Sequence, residues 1–198
     1  MRNHVCESSA EIREVITSEI LRGGNHTVVL LLPKKLKRLD VMLNEMPLAG
    51  WGVAYIMTPR YDAIKDIDGI RYYAHSVSIT CPYSKKQTRE FDRKLKEATK
   101  KVKRLDSDRA KVDAIARYIC DTVSYDATCK YRMFAYNALM HGKAVCAGYA
   151  RLFRSMCAEC GIKAVCVDGM KDGVLHEWNK VLIDGRWQKI DLTFMDRS

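Results

Sequence analysis

The chain has 198 residues, of which 47% are hydrophobic and 29% charged, the balance of a globular protein long enough to bury its own core. Thirty-four Lys/Arg against 24 Asp/Glu give a net charge of +10. No apolar run approaches the roughly 20 residues of a membrane-spanning helix, so no membrane span is expected, and Met1-Arg2-Asn3-His4-Val5-Cys6-Glu7 lacks the apolar stretch of a signal peptide.

Ser8-Ser9-Ala10-Glu11 has the pattern of a capping box, and Ile12, Val15, Ile16 and Ile20 mark one face of the helix that follows. Gly23-Gly24 ends it. Thr27 to Leu32 reads as a buried strand closed by Pro33. Leu36, Leu39, Leu43 and Met46 recur at helical steps before Pro47. Trp51 to Met57 reads as a strand, Asp68-Gly69 as a turn, and Ile70 to Thr80 as a longer strand. After Cys81-Pro82 comes a helix with the stripe Phe91, Leu95, Ala98, Val102 and Leu105. The next helix is capped by Asp106 or Ser107, with Val112, Ile115, Ala116, Ile119 and Val123 as its stripe. Periodicity fails from Ala127 to Met133, which predicts a loop, and Phe134 to Met140 is a short apolar turn or helix. No repeat or low-complexity linker separates two domains. Residues 1–104 are expected to form an α+β extension packed on a core of residues 105–198.

Between Lys85 and Arg104 there are ten Lys/Arg and three Asp/Glu. Such a patch could meet a nucleic acid, but only Phe91 is aromatic there and it belongs to the apolar stripe, so a solvated helix face is the better reading. Eight cysteines, Cys6, Cys81, Cys120, Cys129, Cys146, Cys157, Cys160 and Cys166, invite a disulfide framework. Several fall inside helices or strands, which favours reduced thiols and a cytoplasmic setting. Cys157-Ala-Glu-Cys160 has the spacing of half a zinc site with no second half, and no histidine has metal-ligand spacing. No metal and no cofactor are expected.

Gly142-Lys143-Ala144-Val145-Cys146-Ala147-Gly148-Tyr149-Ala150 places a cysteine where a loop turns into a helix. Tyr149, Leu152, Phe153, Met156 and Cys160 then recur at helical steps, and Gly161 stops them. A thiol at a helix start lies near free N–H groups and the positive end of the dipole, which favour a thiolate nucleophile; a small buried cysteine is the alternative. Ile162 to Asp168 reads as a strand, and Leu175 to Ile183 and Arg186 to Leu192 as a hairpin about Asp184-Gly185. A two-residue loop pairs Ile183 with Arg186, which puts Trp178 opposite Asp191 and His176 opposite Thr193. His176 and Asp191 then project from one face as diagonal neighbours. A nucleophilic thiol needs a base and the base needs an orienting group. Cys146, His176 and Asp191 offer those three types.

The run Gly142-x-x-Val145-Cys146-x-Gly148-Tyr149-Ala150, then Gly161-Ile162, Gly169, His176-x-Trp178-Asn179-x-Val181, Asp184-Gly185-x-Trp187 and Asp191-x-Thr193 resembles the core of the transglutaminase-like superfamily. Tyr125-Asp126 matches an element of its small bacterial-type members. The resemblance implies a papain-like α+β core, a helix bearing the cysteine packed on an antiparallel sheet. It also implies a triad with Cys146 as nucleophile, His176 as base and acid, and Asp191 as orienting carboxylate. Glu177 departs from the small residue common at that place. The expected function is a cysteine-dependent acyl hydrolase or transferase acting on peptide or protein amides through a thioester, by cleavage or deamidation. A protein-glutamine transglutaminase and a non-catalytic binding module on the same fold are the rivals. Trp178, Asn137 and Tyr125 are candidates for a second oxyanion donor beside the backbone N–H of Cys146, and His141 for a supporting role.

Overall fold

The computed structural model describes residues 2–33, 39–49, 52–57 and 63–195. The chain divides into two compact units, Met1–Arg89 and Glu90–Ser198. In the first unit, β1 (Arg2–Val5) precedes α1 (Ser9–Ile20), β2 (His26–Leu32), α2 (Leu39–Asn44), β3 (Tyr55–Met57), β4 (Ala63–Ile67) and β5 (Ile70–Thr80). The sheet runs β1-β2-β5-β3, with β4 also paired to β5, and only the β1–β2 pairing is parallel. Strand β2 is buried on both faces from Val28 to Leu32, which explains an unbroken apolar run rather than alternation. Ile12, Ile16 and Ile20 of α1 are fully buried. The capping box forms: Glu11 N–H donates to Ser8 Oγ at 3.2 Å, and the Glu11 carboxylate accepts from Glu7 N–H at 2.8 Å.

The sequence pattern misses β1 and β4. The strand expected from Trp51 starts only at Tyr55, and Trp51 itself lies outside the described residues, as does Leu36 of the expected helix stripe.

The second unit takes in most of α3 (Lys85–Thr99), then α4 (Asp108–Thr122), β6 (Ser124–Tyr125), α5 (Ala135–His141), β7 (Lys143–Ala144), α6 (Cys146–Glu159), β8 (Ala164–Lys171), β9 (Val174–Ile183), β10 (Arg186–Ile190) and α7 (Leu192–Met195). Ser107 caps α4, accepting from Ala110 N–H at 3.1 Å. On α3, Lys96 pairs with Asp92 at 2.7 Å and Arg93 with Glu97 at 3.4 Å, the i,i+4 pairs of a solvated face. Helix α6 is buried from Ala147 to Cys157 and packs on α4, α5, β8 and β9. A three-stranded antiparallel sheet, β10-β9-β8, lies against it. The fold class is α+β, with the cysteine-bearing helix packed on an antiparallel sheet, as the sequence leads one to expect.

The hairpin register is Ile183 with Arg186, running to Asn179 with Ile190, and Asp184 and Gly185 take φ of 50° and 74°, the paired positive angles of a type I′ turn. The return strand is shorter than expected. It ends at Ile190, and Leu192 to Met195 turn helical with Leu192 buried. Among the described residues no helix is long and apolar enough to cross a membrane.

Candidate active site

Cys146 is the first residue of α6 and is half-buried. Its position follows from the loop before it. Helix α5 ends at Gly142, whose N–H closes the last turn on Ala138 O at 3.1 Å and whose left-handed φ of 65° turns the chain out of the helix. A Cβ on Gly142 would stand 2.7 Å from Thr122 O, so the site needs glycine twice over. The chain then pairs β7 in parallel with β6, where Ser124 N–H donates to Gly142 O at 2.8 Å and Asp126 N–H to Ala144 O at 2.9 Å. Val145 N–H donates to Arg132 O at 3.3 Å. Gly148 closes on the same carbonyl: a Cβ there would lie 2.5 Å from Arg132 O and 2.6 Å from Ala144 Cβ. One turn into the helix, the buried Tyr149 hydroxyl donates to Val123 O at 2.7 Å. Asp126 organises the flank of this loop. Hydrogen bonds from Thr128 Oγ1 and N–H, with Lys143 at 3.3 Å, hold its carboxyl at about 2.

His176 lies on β9 opposite Gly169 of β8. Its Nε2 is 3.1 and 3.0 Å from Oδ1 and Oδ2 of Asp191, the residue just past β10. A carboxylate only accepts, so Nε2 carries the donated proton and Nδ1 is the ring nitrogen turned away from Asp191. The pair is well shielded, with side chains 9% and 12% exposed. The hairpin deduction from sequence therefore agrees with the contact between these two residues.

Two partners were not foreseen. Lys171 Nζ lies 3.3 Å from Asp191 Oδ2, a second cation on the same carboxylate. Trp178 stacks on the His176 ring at 6.0 Å and 25°. Gly169 makes room for that indole, since a Cβ there would stand 2.4 Å from Trp178 Cη2, and Lys189 Nζ sits 4.4 Å over the indole ring. Neither Gly169 opposite His176 nor the reach of Lys171 had a signal in the sequence, because both depend on the β8–β9 pairing, which carries β8 past the expected end at Asp168 to Lys171.

Helix and sheet are joined by buried polar groups. Asn179 Nδ2 donates to Ala150 O at 2.9 Å and to Val165 O at 3.3 Å. Glu177 points to the face opposite His176, as alternation requires, and takes a two-pronged bond from Arg151, Nε to Oε1 at 3.0 Å and Nη2 to Oε2 at 2.8 Å. Burial pushes the Glu177 carboxyl up, against the Arg151 charge. Burial, with the Glu177 charge behind it, pushes the Cys166 thiol up to about 12, and burial raises Cys157 well above its ordinary value. Cys157 is fully buried within the helix core. Among the described residues no group of three or more His, Cys, Asp or Glu side chains is arranged to hold a metal ion.

Of the other candidates, Asn137 is buried in α5, Tyr125 is exposed on β6, and His141 ends α5 with its ring edge-on to Tyr136 at 5.8 Å. The structure thus brings His176 and Asp191 together, with Trp178 stacked on the imidazole. The Cys146 thiol is not a member of that contact pair. It stands at the head of the helix to which β9 is bonded.

A family model described as the transglutaminase-like superfamily matches residues 93–192. Kyphoscoliosis peptidase of Mus musculus is 31% identical over 105 residues, covering 44% of this chain and 16% of that protein, and its Homo sapiens counterpart is 30% identical with the same coverage. The chain therefore matches only 16% of the length of these curated relatives. Among solved structures, a crystal structure of a TGase aligns with a TM-score of 0.47 at 17% identity, covering 96% of this chain and 58% of that one.

Proposed function

This chain belongs to the transglutaminase-like superfamily, and from that premise we propose that it is a cysteine-dependent acyl hydrolase that opens amide bonds of peptides or proteins through a thioester, by cleavage or deamidation. The observation that carries the reading is the shielded His176–Asp191 contact at 3.0 Å, beside a three-stranded sheet whose central strand, β9, is bonded to the helix headed by Cys146. In the proposed reaction the Cys146 thiol gives its proton to His176 Nδ1, and the sulfur attacks the substrate carbonyl carbon. Asp191 keeps the proton on Nε2 and stabilises the imidazolium. The negative oxygen of the tetrahedral adduct is met by the backbone N–H of Cys146 at the helix start. As the C–N bond breaks, His176 returns the proton to the leaving amine. His176 then takes a proton from water, the resulting hydroxide attacks the thioester, and acid and thiol are restored.

The test uses p-nitrophenyl acetate as a general acyl donor. Wild-type protein should release p-nitrophenol in a burst and gain the mass of one acetyl group, and Cys146→Ala should do neither. A primary alkylamine added at neutral pH would divert the acyl group to an amide in the wild type, beyond what Cys146→Ala gives, if an amine competes with water as the transglutaminase alternative requires. Wild type reacting no faster than Cys146→Ala would overturn the assignment.

A further inference from the structure

Arg151 lies five residues after Cys146 on the same helix, and its side chain is 11% exposed against 6% for Glu177. Beyond the fork on Glu177, its Nη1 donates to Met133 O at 2.8 Å. The neighbouring carbonyl, Arg132 O, accepts from Val145 N–H at the helix start and abuts Gly148. One rigid planar cation therefore bonds three pieces of chain: the helix that begins with Cys146, the strand that carries His176, and the loop laid against the head of that helix. A guanidinium fork fixes direction as well as distance, which a lysine cannot do.

We propose that Arg151 is a positioning residue, whose grip on Glu177 and the Met133 carbonyl sets the separation and tilt of the Cys146 helix against the His176 strand. The inference rests on the reading of Cys146 and His176 as nucleophile and base. Buried ion pairs contribute little net stability once desolvation is counted, so stability alone gives Arg151 and Glu177 small reason to be there. Geometry gives a larger one: a displacement of about 1 Å between reacting groups can cost on the order of 100-fold in rate. The residue between His176 and Trp178 then has a task, and it explains why this chain carries a carboxylate at that place.

Two variants test it, with p-nitrophenyl acetate as the probe and each rate divided by the number of Cys146 thiols that iodoacetamide can titrate. R151M/E177M removes both charges of the fork together, so neither is left facing an apolar replacement of the other. Arg151→Lys keeps the charge and loses the fork. Both should show kcat per titrated site reduced about 10- to 100-fold, with KM within about threefold of wild type and the double variant's thermal midpoint nearly unmoved. A merely structural role predicts the reverse, a lower midpoint and fewer titratable sites but unchanged kcat per site, and that result would overturn the proposal. Loss of folding in both variants would overturn it equally. Wild type no faster than Cys146→Ala would instead remove the reading of the site itself, and the clamp with it.

Discussion

At the scale of single residues, the environment sorts the thiols. Cys157 and Cys166 are both held protonated, by burial first and by acidic or thiol neighbours second. Cys146 is half-buried at a helix start. Brief treatment with iodoacetamide at neutral pH should therefore modify Cys146 and spare Cys157 and Cys166, with peptide mapping as the readout. Labelling of Cys166 ahead of Cys146 would contradict the assignment of the nucleophile. Asp191 is the second informative residue. Changing it to Asn keeps the shape but lets the imidazole carry its proton on the wrong nitrogen. The expected loss in kcat is on the order of 10²- to 10⁴-fold. Lys171 would be left without its carboxylate, yet it is one-third exposed and can turn to water, so thermal denaturation should show only a small drop.

Elements show which parts of the site sequence can reveal. The β9–β10 hairpin was readable because Asp184-Gly185 dictates a two-residue turn and the strand period is two; those facts alone put His176 and Asp191 on one face. Helices α1 and α4 were readable from Ser8 and Ser107, whose side chains meet the first free N–H groups. Strand β1 was not, because Arg2-Asn3-His4-Val5 has no pattern of its own and becomes a strand only by pairing with Val28 to Leu31 of β2. The fork of Arg151 on Glu177 was hidden for a similar reason, since nothing local says which helix residue will face position 177. Opposite His176, Gly169 leads to a prediction about the hairpin. Gly169→Ala drives a methyl into the Trp178 indole, which must leave its place on the imidazole. Overpacking of this kind costs about 1–3 kcal/mol. The variant should show a lower thermal midpoint, an altered near-ultraviolet tryptophan signal and a reduced kcat. An unchanged signal would mean the ring does not rest where the stacking places it.

Across the whole molecule, the family match begins at residue 93 and the compact units divide between Arg89 and Glu90. The resemblance read in the sequence spans roughly residues 105–198 and so puts the boundary at 104/105. We propose that the second unit is the catalytic one and that the first has its own stability determinants. One of these is Glu19, which is 3% exposed and faces Arg2, His4, Arg22 and His26. Burial raises its carboxyl, but the Arg22 hydrogen bond and the charges of Arg22, His26 and Arg2 outweigh it, and the group ends below its ordinary 4.5. A carboxyl lowered by folding stabilises above the unfolded value, and that stability disappears as pH falls through the folded one. Glu19→Gln should thus cost roughly 1.5–3 kcal/mol near neutrality. The wild-type and variant denaturation curves should converge below pH 4.5. A gap that persists in acid would mean the charge is not what Glu19 contributes.

Asn179 hands its amide to a helix carbonyl and a strand carbonyl at once, and it is 1% exposed. Slow loss of ammonia from that amide would leave an anion facing two oxygens, and the helix and sheet would be pushed apart from within. An extended strand, with Lys180 rather than glycine next in line, hinders the ring closure through which such ageing proceeds. Heat-aged protein that still denatures cooperatively should therefore retain its amide at 179 by peptide mass, and any copy that has lost it should be found in the aggregated fraction.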